Sequence, residues 1–331
     1  MGGVRVRRVV RLINVCQAVD HTRSRFGAGL LSTKPWELQM SKSPFLHSFD
    51  FFSLADASLK PQPLPRLSLL LLASCAAFAL MPHSADAAAA ASPCSALSGP
   101  TVTPVIELFT SEGCSSCPPA DKWASTFRDK SNQGAAVVQA FHVGYWDYIG
   151  WVDRFAAPAY TNCQRDIVMR EGLRSAYTPM AVLNGNHLPS WFKVASGSPD
   201  AVVRAANKEP ARARIELQQL GTDQFEASVT PLKPASAWAT PAAWSAYWTV
   251  TENGHDSKIQ AGENKGEFLK HDFVVRQYTQ AGDYKTAEAA PQKLTFRSIA
   301  PTPGHPRQIN LVVFDPKTGA TLQALSLQCS V

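Results

Sequence analysis

Two cysteines with two serines between them are the residues best placed to do chemistry. Cys114 and Cys117 lie in the segment SEGCSSC, between an apolar run and two prolines. A helix that starts there offers free backbone N–H groups and the positive end of its dipole, and both lower the pKa of a cysteine thiol. We therefore expect Cys114 to attack a substrate disulfide and Cys117 to resolve the mixed disulfide.

Other roles for this pair stay open. A CxxC can be half of a zinc site, but a second cysteine pair or paired histidines would then be expected, and the sequence has neither at metal spacing. The pair can also be a structural staple. A further alternative is Cu(I), which prefers thiolates, held by Cys114 and Cys117 with His142 or His187. Thiol–disulfide exchange by Cys114 and Cys117 needs no metal and no cofactor.

The flanking segments predict how the pair is positioned. Residues 105–110 are β-branched and apolar, which predicts a buried strand leading into the pair. A helix is predicted over about 121–130. The later elements are strands at 135–143, 180–183 and about 188–194, and helices at 158–172 and 199–207, the last with Ser198 as its N-cap. This order of elements is that of a thioredoxin fold.

Thr178-Pro179 precedes the third strand of that order. A thioredoxin fold places a cis-proline there, facing the cysteines, so we predict a cis bond although only about 5–6% of X–Pro bonds are cis. Pro179 is thus a candidate catalytic residue, and Thr178 is a candidate for a substrate groove and a neighbour of the sulfurs. Three residues of the intervening aromatic loop are candidates for a substrate groove, or equally for a packed loop: Trp146, Asp147 and Trp151.

Past residue 209 the pattern changes to short alternating segments separated by turns. The candidate strands are 214–219, 244–251, 268–280, 293–298, 308–315 and 321–327. Their number and spacing predict an antiparallel β-sandwich. The predicted fold class is an α/β thioredoxin-like domain at 102–208 followed by a smaller all-β, sandwich-like domain at 212–331.

Residues 66–91 have the composition of a secretory leader. Arg66 precedes an apolar run of about fifteen residues, and the Ala-Asp-Ala at 85–87 fits a small-x-small cleavage site. The run is short for a bilayer span. We predict that 1–90 is a leader with its signal peptide at about 66–88, and that the mature protein is exported, periplasmic or secreted. LASC at 72–75 resembles a lipobox, so a membrane is a partner only if Cys75 is lipidated.

The charge of the chain argues against nucleic acid as a partner. The net charge is +6, but residues 1–90 hold ten basic and five acidic residues, which leaves 22 basic and 21 acidic residues for the rest. A nucleic-acid footprint requires basic residues clustered on the folded part. No such cluster is present in the sequence after the leader.

Five of the seven cysteines follow the leader. Export favours disulfides. If Cys114 pairs with Cys117, three pairings are open among Cys94, Cys163 and Cys329, because spacing alone does not give connectivity. A bond from Cys94 to Cys329 would join the two ends of the mature chain.

Five longer motifs resemble a bacterial family of secreted, thioredoxin-like proteins of unknown function. They are VIELFTSEGCSSCPPAD, FHVGYWDYIGW, LRSAYTPMAVLNG, GENKGEFLKHDFVVR and VVFDPKTGATLQAL. The resemblance covers about 102–327 and implies a fold rather than an activity. Cys114, Cys117 and Pro179 match the family, whereas Gly144 stands where an acid is expected and Cys163 where relatives lack a cysteine.

The sequence therefore predicts an exported thiol–disulfide oxidoreductase that uses a CxxC pair opposed by a cis-proline. Its partners would be protein thiols or disulfides and an unidentified redox partner. Two alternatives from other classes stay open, a Cu(I)-binding protein and a non-enzymatic interaction protein whose disulfide is a staple.

Overall fold

The computed structural model describes residues 94–232, 241–287 and 290–329. The predictions for the leader, its signal peptide and Cys75 fall outside these residues. No helix in the described part of the chain is long and apolar enough to cross a membrane.

Five α-helices, one 3₁₀ helix and fourteen strands are found in the described chain. The helices are α1 (Pro118–Ser125), α2 (Arg128–Asn132), α3 (Pro158–Arg170), α4 (Trp191–Ala195) and α5 (Pro199–Ala206), with a 3₁₀ helix at Gly144–Ile149. The strands are β1 (Ser95–Leu97), β2 (Val105–Thr110), β3 (Val137–His142), β4 (Met180–Leu183), β5 (Asn186–His187), β6 (Ala213–Gly221), β7 (Gln224–Pro231), β8 (Ala243–Glu252), β9 (His255–Lys258), β10 (Phe268–His271), β11 (Val274–Lys285), β12 (Gln292–Arg297), β13 (Arg307–Phe314) and β14 (Thr321–Leu327).

The largest sheet among these residues has eight strands in the order β14-β13-β8-β11-β3-β2-β4-β5. β2 and β3 are parallel, and β4 pairs antiparallel with β2. Every residue of β2 and β3 is buried. Such continuous burial is expected of strands covered on both faces, and it explains why both strands are mostly apolar.

The predicted fold class is wrong. β11 joins the outer edge of β3 in parallel at Val274 and Ala140, and the Ala140 N–H donates to Phe273 O at 2.8 Å. β8, β13 and β14 continue the same sheet beyond β11. The described chain is thus mostly β-sheet, with one large sheet running through both halves, rather than an α/β thioredoxin-like domain followed by a small all-β domain. The reason is that the edge of β3 carries backbone groups that need partners, and β11 supplies them.

A second sheet, in the order β1-β6-β7-β12, covers part of the large one. β6 alternates buried and exposed residues along most of its length, as a strand with one face in a core does. Its buried residues share an apolar cluster with Trp244 and Trp248 of β8 and with residues of β13. Trp248 stacks on Phe296 of β12 with ring centroids 5.2 Å apart, which fixes the two layers together.

The two faces of β2 contact different helices. Ile106 and Leu108 pack with Trp123 and Phe127 near α1 and α5. Phe109 points the other way and shares a cluster with residues of α3. Because its side chains alternate between these two faces, β2 is covered on both sides. The CxxC segment follows the end of this covered strand.

Of the predictions for single elements, the helix cap at Ser198 is confirmed and the strand at 188–194 is wrong. Ser198 caps α5, since its side chain accepts from the Ala201 N–H, as predicted. The strand predicted at 188–194 is wrong, because β5 ends at His187 and α4 follows. The ring of Trp191 in α4 packs 5.7 Å from that of Trp123, and this contact accounts for a helix at that position.

Disulfides join Cys94 to Cys329 and Cys114 to Cys117. The Cys94–Cys329 disulfide links the two ends of the described chain. Cys163 is buried on α3. A cross-link that closes a loop of 235 residues restricts the unfolded chain strongly.

Replacing both Cys94 and Cys329 with serine should therefore lower the free energy of unfolding by about 2–5 kcal/mol. Equilibrium denaturation of the full chain measures it, with the Cys114→Ser/Cys117→Ser double variant as a matched control that keeps the terminal bond. An unchanged denaturation midpoint in the Cys94/Cys329 variant would contradict a stabilising role.

Candidate functional site

The Cys114–Cys117 disulfide lies in the turn between β2 and α1. Its Cα atoms are 5.4 Å apart, and Cys117 is the residue immediately before the helix. The Cys117 carbonyl accepts from the N–H groups of Ala120 and Asp121, so the helix begins at the second cysteine. Ser116 Oγ lies 3.4 Å from Cys114 Sγ. The pair therefore has the position at a strand–helix junction that the sequence predicts.

The disulfide is covered by the loop 259–267, which connects β9 to β10 and is called the covering loop below. Asn264 Nδ2 donates to Glu112 O at 2.8 Å and to Cys114 O at 3.0 Å. The Ser115 N–H donates to Glu263 Oε2 at 2.9 Å. Cys114 is only 1% exposed and Cys117 0%, although Ser115 between them is exposed. The accessible first cysteine expected from the sequence is thus not accessible in this conformation.

Five buried ionisable side chains lie together beside the disulfide and are called the buried polar cluster: Glu112, Asp121, His142, Asp153 and His271. They come from the segment after β2, from α1, β3, the loop before α3, and β10. His142 and His271 meet edge to face with ring centroids 5.0 Å apart. Because buried charges are costly unless paired, the contacts within this cluster decide which members are ionised.

Asp153 and His142 form one ion pair of the cluster. Their Oδ2 and Nδ1 atoms are 2.7 Å apart, and Asp153 also accepts from the N–H groups of Glu112 and Phe155. Burial raises the pKa of Asp153, but His142 and these donors outweigh burial, so the pKa lies below its ordinary value. Burial lowers the pKa of His142, but the Asp153 carboxylate outweighs it and the pKa is raised.

Glu112 and Asp121 are shifted in opposite directions. Burial raises the pKa of Glu112, but the neighbouring His271, Ser257 and Trp151 outweigh it and the pKa is lowered. Its Oε1 lies 3.2 Å from His271 Nε2. Burial raises the pKa of Asp121, which lies one helical turn after Cys117. The site therefore holds two acids with lowered pKa values, Glu112 and Asp153, and one with a raised pKa, Asp121.

Trp146 connects the cysteine turn to Thr178-Pro179. The peptide bond before Pro179 is cis, as predicted. Trp146 Nε1 donates to Thr178 Oγ1 at 2.8 Å. A Cβ atom placed on Gly113 would lie 2.9 Å from Trp146 Cβ, so a glycine is needed where the tryptophan packs against the chain next to Cys114. Trp146 thus lies next to Gly113, the residue before Cys114, and is hydrogen-bonded to Thr178, the residue before Pro179.

The other predicted groove residues hold the buried polar cluster in place. Trp151 Nε1 donates to Glu112 Oε2 at 2.7 Å, and Asp147 Oδ1 accepts from the Asp153 N–H at 3.2 Å. An open cleft of about 590 Å³ instead lies between α1 and the covering loop, with Ser115 and Phe268 in its wall. This cleft is a candidate substrate groove that the sequence did not indicate.

Four residues of the site were missed from the sequence: Asp153, Glu263, Asn264 and His271. The last three lie within the motif GENKGEFLKHDFVVR, which the family resemblance includes but to which no role was given. That motif was the only indication in the sequence that these residues belong to the site. The contact between Asn264 and Cys114 joins residues about 150 positions apart, so the local sequence pattern does not predict it.

The proposed Cu(I) ligands do not come together in this structure. Cys114 and Cys117 form a disulfide with each other, and His142 Nδ1 is paired with Asp153. His187 on β5 is hydrogen-bonded to Tyr177 Oη. Within the described ranges, no three His, Cys, Asp or Glu side chains are grouped closely enough to hold a metal ion.

Comparison with known families assigns the chain. A family described as proteins of unknown function, DUF1223, matches residues 105–314, and the chain belongs to it. The resemblance to a family of unknown function is therefore confirmed, while its thioredoxin-like description is not. No curated protein matches the chain.

Solved structures give weaker likenesses. A crystal structure of a protein from Agrobacterium tumefaciens is 21% identical, with a TM-score of 0.48 over 69% of this chain and 94% of that one. HBP35 of Porphyromonas gingivalis is 15% identical, with a TM-score of 0.44 over 69% and 76%. A domain of the outer membrane lipoprotein Omp28 from the same organism is 14% identical, with a TM-score of 0.22 over 36% and 89%.

Asp153→Asn should destabilise the protein most between about pH 4 and 6.5. The lowered pKa of Asp153 contributes stability above its ordinary value of 3.8, and that stability is lost as the pH falls through the folded pKa. The raised pKa of His142 contributes stability below its ordinary value of 6.5, and it is lost as the pH rises through the folded pKa. Within this window we expect a loss of about 3–5 kcal/mol, as for breaking a buried pair.

Urea denaturation across pH 3–9 measures this difference, with the exposed Asp256→Asn as the matched control. A loss of stability that is the same at every pH would show that the pair is not the source of the effect.

Proposed function

We propose that this protein is an exported thiol–disulfide oxidoreductase whose reactive pair is Cys114 and Cys117. The observation that carries the proposal is the position of this disulfide, at the first turn of α1 and beside the buried polar cluster. Backbone N–H groups at a helix start favour a thiolate, and acids with shifted pKa values provide for proton transfer.

The exchange conserves atoms and electrons. In the reducing direction the Cys114 thiolate attacks one sulfur of a substrate disulfide, and the other substrate sulfur leaves as a thiolate and takes a proton. Cys117, deprotonated, then attacks Cys114 Sγ, and the first substrate sulfur leaves and is protonated. Two electrons pass from the cysteine pair to the substrate, and the pair becomes a disulfide. The oxidising direction is the reverse of these steps.

Asp121 is the group best placed to take the proton from Cys117. It lies one turn further along α1, is buried, and has a raised pKa because of that burial. An acid whose pKa is shifted toward neutrality exchanges protons more readily near physiological pH. The ion pairs around His142 and His271 position the other charges of the cluster.

The covering loop has to move before a substrate can reach Cys114. Asn264 is 5% exposed and donates to the carbonyl of the cysteine itself. Moving the loop breaks this hydrogen bond and the second Asn264 bond, each worth about 0.5–1.5 kcal/mol net, together with the exposed Ser115–Glu263 bond. This is an opening cost that thermal motion or substrate binding can supply. Partners of the opened site would be protein thiols or disulfides, together with a redox partner that resets the pair.

The burial of both sulfurs favours a second candidate, in which the disulfide is a staple of an interaction protein. A structural disulfide shielded from solvent resists reduction and needs no proton acceptor. The two candidates differ in whether the pair exchanges with another disulfide, so exchange is the property to test.

Cys117→Ser should trap a mixed disulfide between Cys114 and a substrate protein, because the resolving thiol is absent. Cys114→Ser should abolish reduction of an insulin disulfide by dithiothreitol-recycled protein to the uncatalysed rate. Non-reducing gel electrophoresis and a turbidity assay with the full chain measure the two results.

The matched control for trapping is the Cys114→Ser/Cys117→Ser double variant, which keeps the remaining cysteines. Wild-type reduction rates in both single variants, or equal trapping by the double variant, would reject the oxidoreductase and leave the staple.

A further inference from the structure

A second cleft lies on the α3 side of the large sheet and is called the Glu107 cleft. Its walls include Glu107, Phe109, Phe141, Tyr247, Tyr278 and Phe314. It belongs to a different face of β2 from the buried polar cluster and shares none of that cluster's residues. The cleft therefore needs its own explanation.

Glu107 is an ionisable residue in the middle of an otherwise apolar strand. It is 8% exposed, and burial raises the pKa of its carboxyl group despite the hydrogen bond from Tyr247 and the positive charge of Arg170, which both lower it. Tyr247 Oη donates to Glu107 Oε1 at 2.8 Å and accepts from Gln139 Nε2 at 3.1 Å, which orients the hydroxyl toward the acid. No ion pair found among residues 94–232, 241–287 and 290–329 includes Glu107. A buried carboxylate whose hydrogen-bond donor is neutral gains much from a cation.

Aromatic rings form the rest of the wall. Tyr247 lies 5.3 Å from Tyr278 and 5.9 Å from Phe314 between ring centroids, and Phe141 lies 6.2 Å from Tyr278. The faces of such rings attract cations, with about 0.5–2 kcal/mol for each close contact. An acid at the floor and aromatic rings at the sides are complementary to an organic cation.

Arg170, the one basic residue that lines the cleft, lowers the pKa of Glu107 through its charge but is in none of the ion pairs found with Glu107 among the described residues, and the chain holds its guanidinium group in place. Arg170 Nη2 donates to Gly185 O at 2.8 Å, and a side chain on Gly319 would collide with the guanidinium group. Arg170 therefore packs under the Gly319 turn. Asp166 also lines the cleft, so its acids outnumber its bases.

The size of the cleft limits the ligand. Its volume is about 90 Å³, smaller than a cavity of about 150 Å³ that holds benzene. We propose that the Glu107 cleft is a binding site for a small alkylammonium ion, with the ammonium group on Glu107 and the alkyl part against Tyr247, Tyr278 and Phe314. This site is independent of the proposed oxidoreductase activity.

Isothermal titration of the full chain with isobutylammonium chloride tests the site, with isobutanol as the neutral ligand of the same shape and sodium chloride as the salt control. We expect saturable binding of the ammonium ion and at least about tenfold weaker binding of isobutanol, since a tenfold change corresponds to about 1.4 kcal/mol. Glu107→Gln, which keeps an acceptor for Tyr247, should weaken binding of the ammonium ion at least about tenfold.

Glu216→Gln is the matched control, because this exposed acid on β6 lies outside the cleft, and its binding should equal that of the wild type. Near-ultraviolet circular dichroism reports whether each variant folds. If Glu107→Gln does not fold, Phe314→Leu decides, with a several-fold loss of affinity expected. Equal binding of isobutanol, no saturable binding of the ammonium ion, or unchanged affinity in the folded variants would overturn the proposal.

Discussion

The pairing of β11 with β3 is the constraint on which the rest of the structure depends. The hydrogen bond from the Ala140 N–H to Phe273 O joins the two halves of the chain into one sheet. The same connection leads back through β10 to the covering loop, and so brings His271 and Asn264 to the cysteine turn. Without it, Cys114 and Cys117 would lie at an open strand end with neither the covering loop nor His271 of the buried polar cluster. The β-rich half is thus part of the site.

Electrostatics explains why the site is built from so many elements. A buried carboxylate or imidazolium is stable only with an opposite charge and hydrogen-bond donors close by. Asp153 has His142 and two backbone N–H groups, and Glu112 has Trp151 and His271. These partners come from separate segments, which fixes the segments relative to one another. On the other face of β2, Glu107 has the neutral Tyr247 as its hydrogen-bond donor and the positive charge of Arg170 nearby, but it is in none of the ion pairs found among the described residues.

Local structure could be predicted from the sequence, whereas its assembly could not. The buried strands β2 and β3, the cis bond before Pro179 and the cap at Ser198 follow from short patterns or from the order of elements. The fold class failed because pairing between β3 and β11 joins residues more than 130 positions apart, and no local pattern encodes such a contact. For the same reason the cysteines were predicted as reactive groups, but their cover by Asn264 was not. The Cys94–Cys329 bond was one of three open pairings until the structure placed the chain ends together.

The proposed activity requires Cys114 and Cys117 to exchange with other disulfides, although both are covered in this conformation. The most direct test is the reduction potential of this pair, measured by equilibrating the full chain with glutathione buffers and quantifying the reduced fraction by mass spectrometry. We expect a value between about −120 and −270 mV, the range of known exchange catalysts. A value below about −300 mV is typical of structural disulfides and would contradict it.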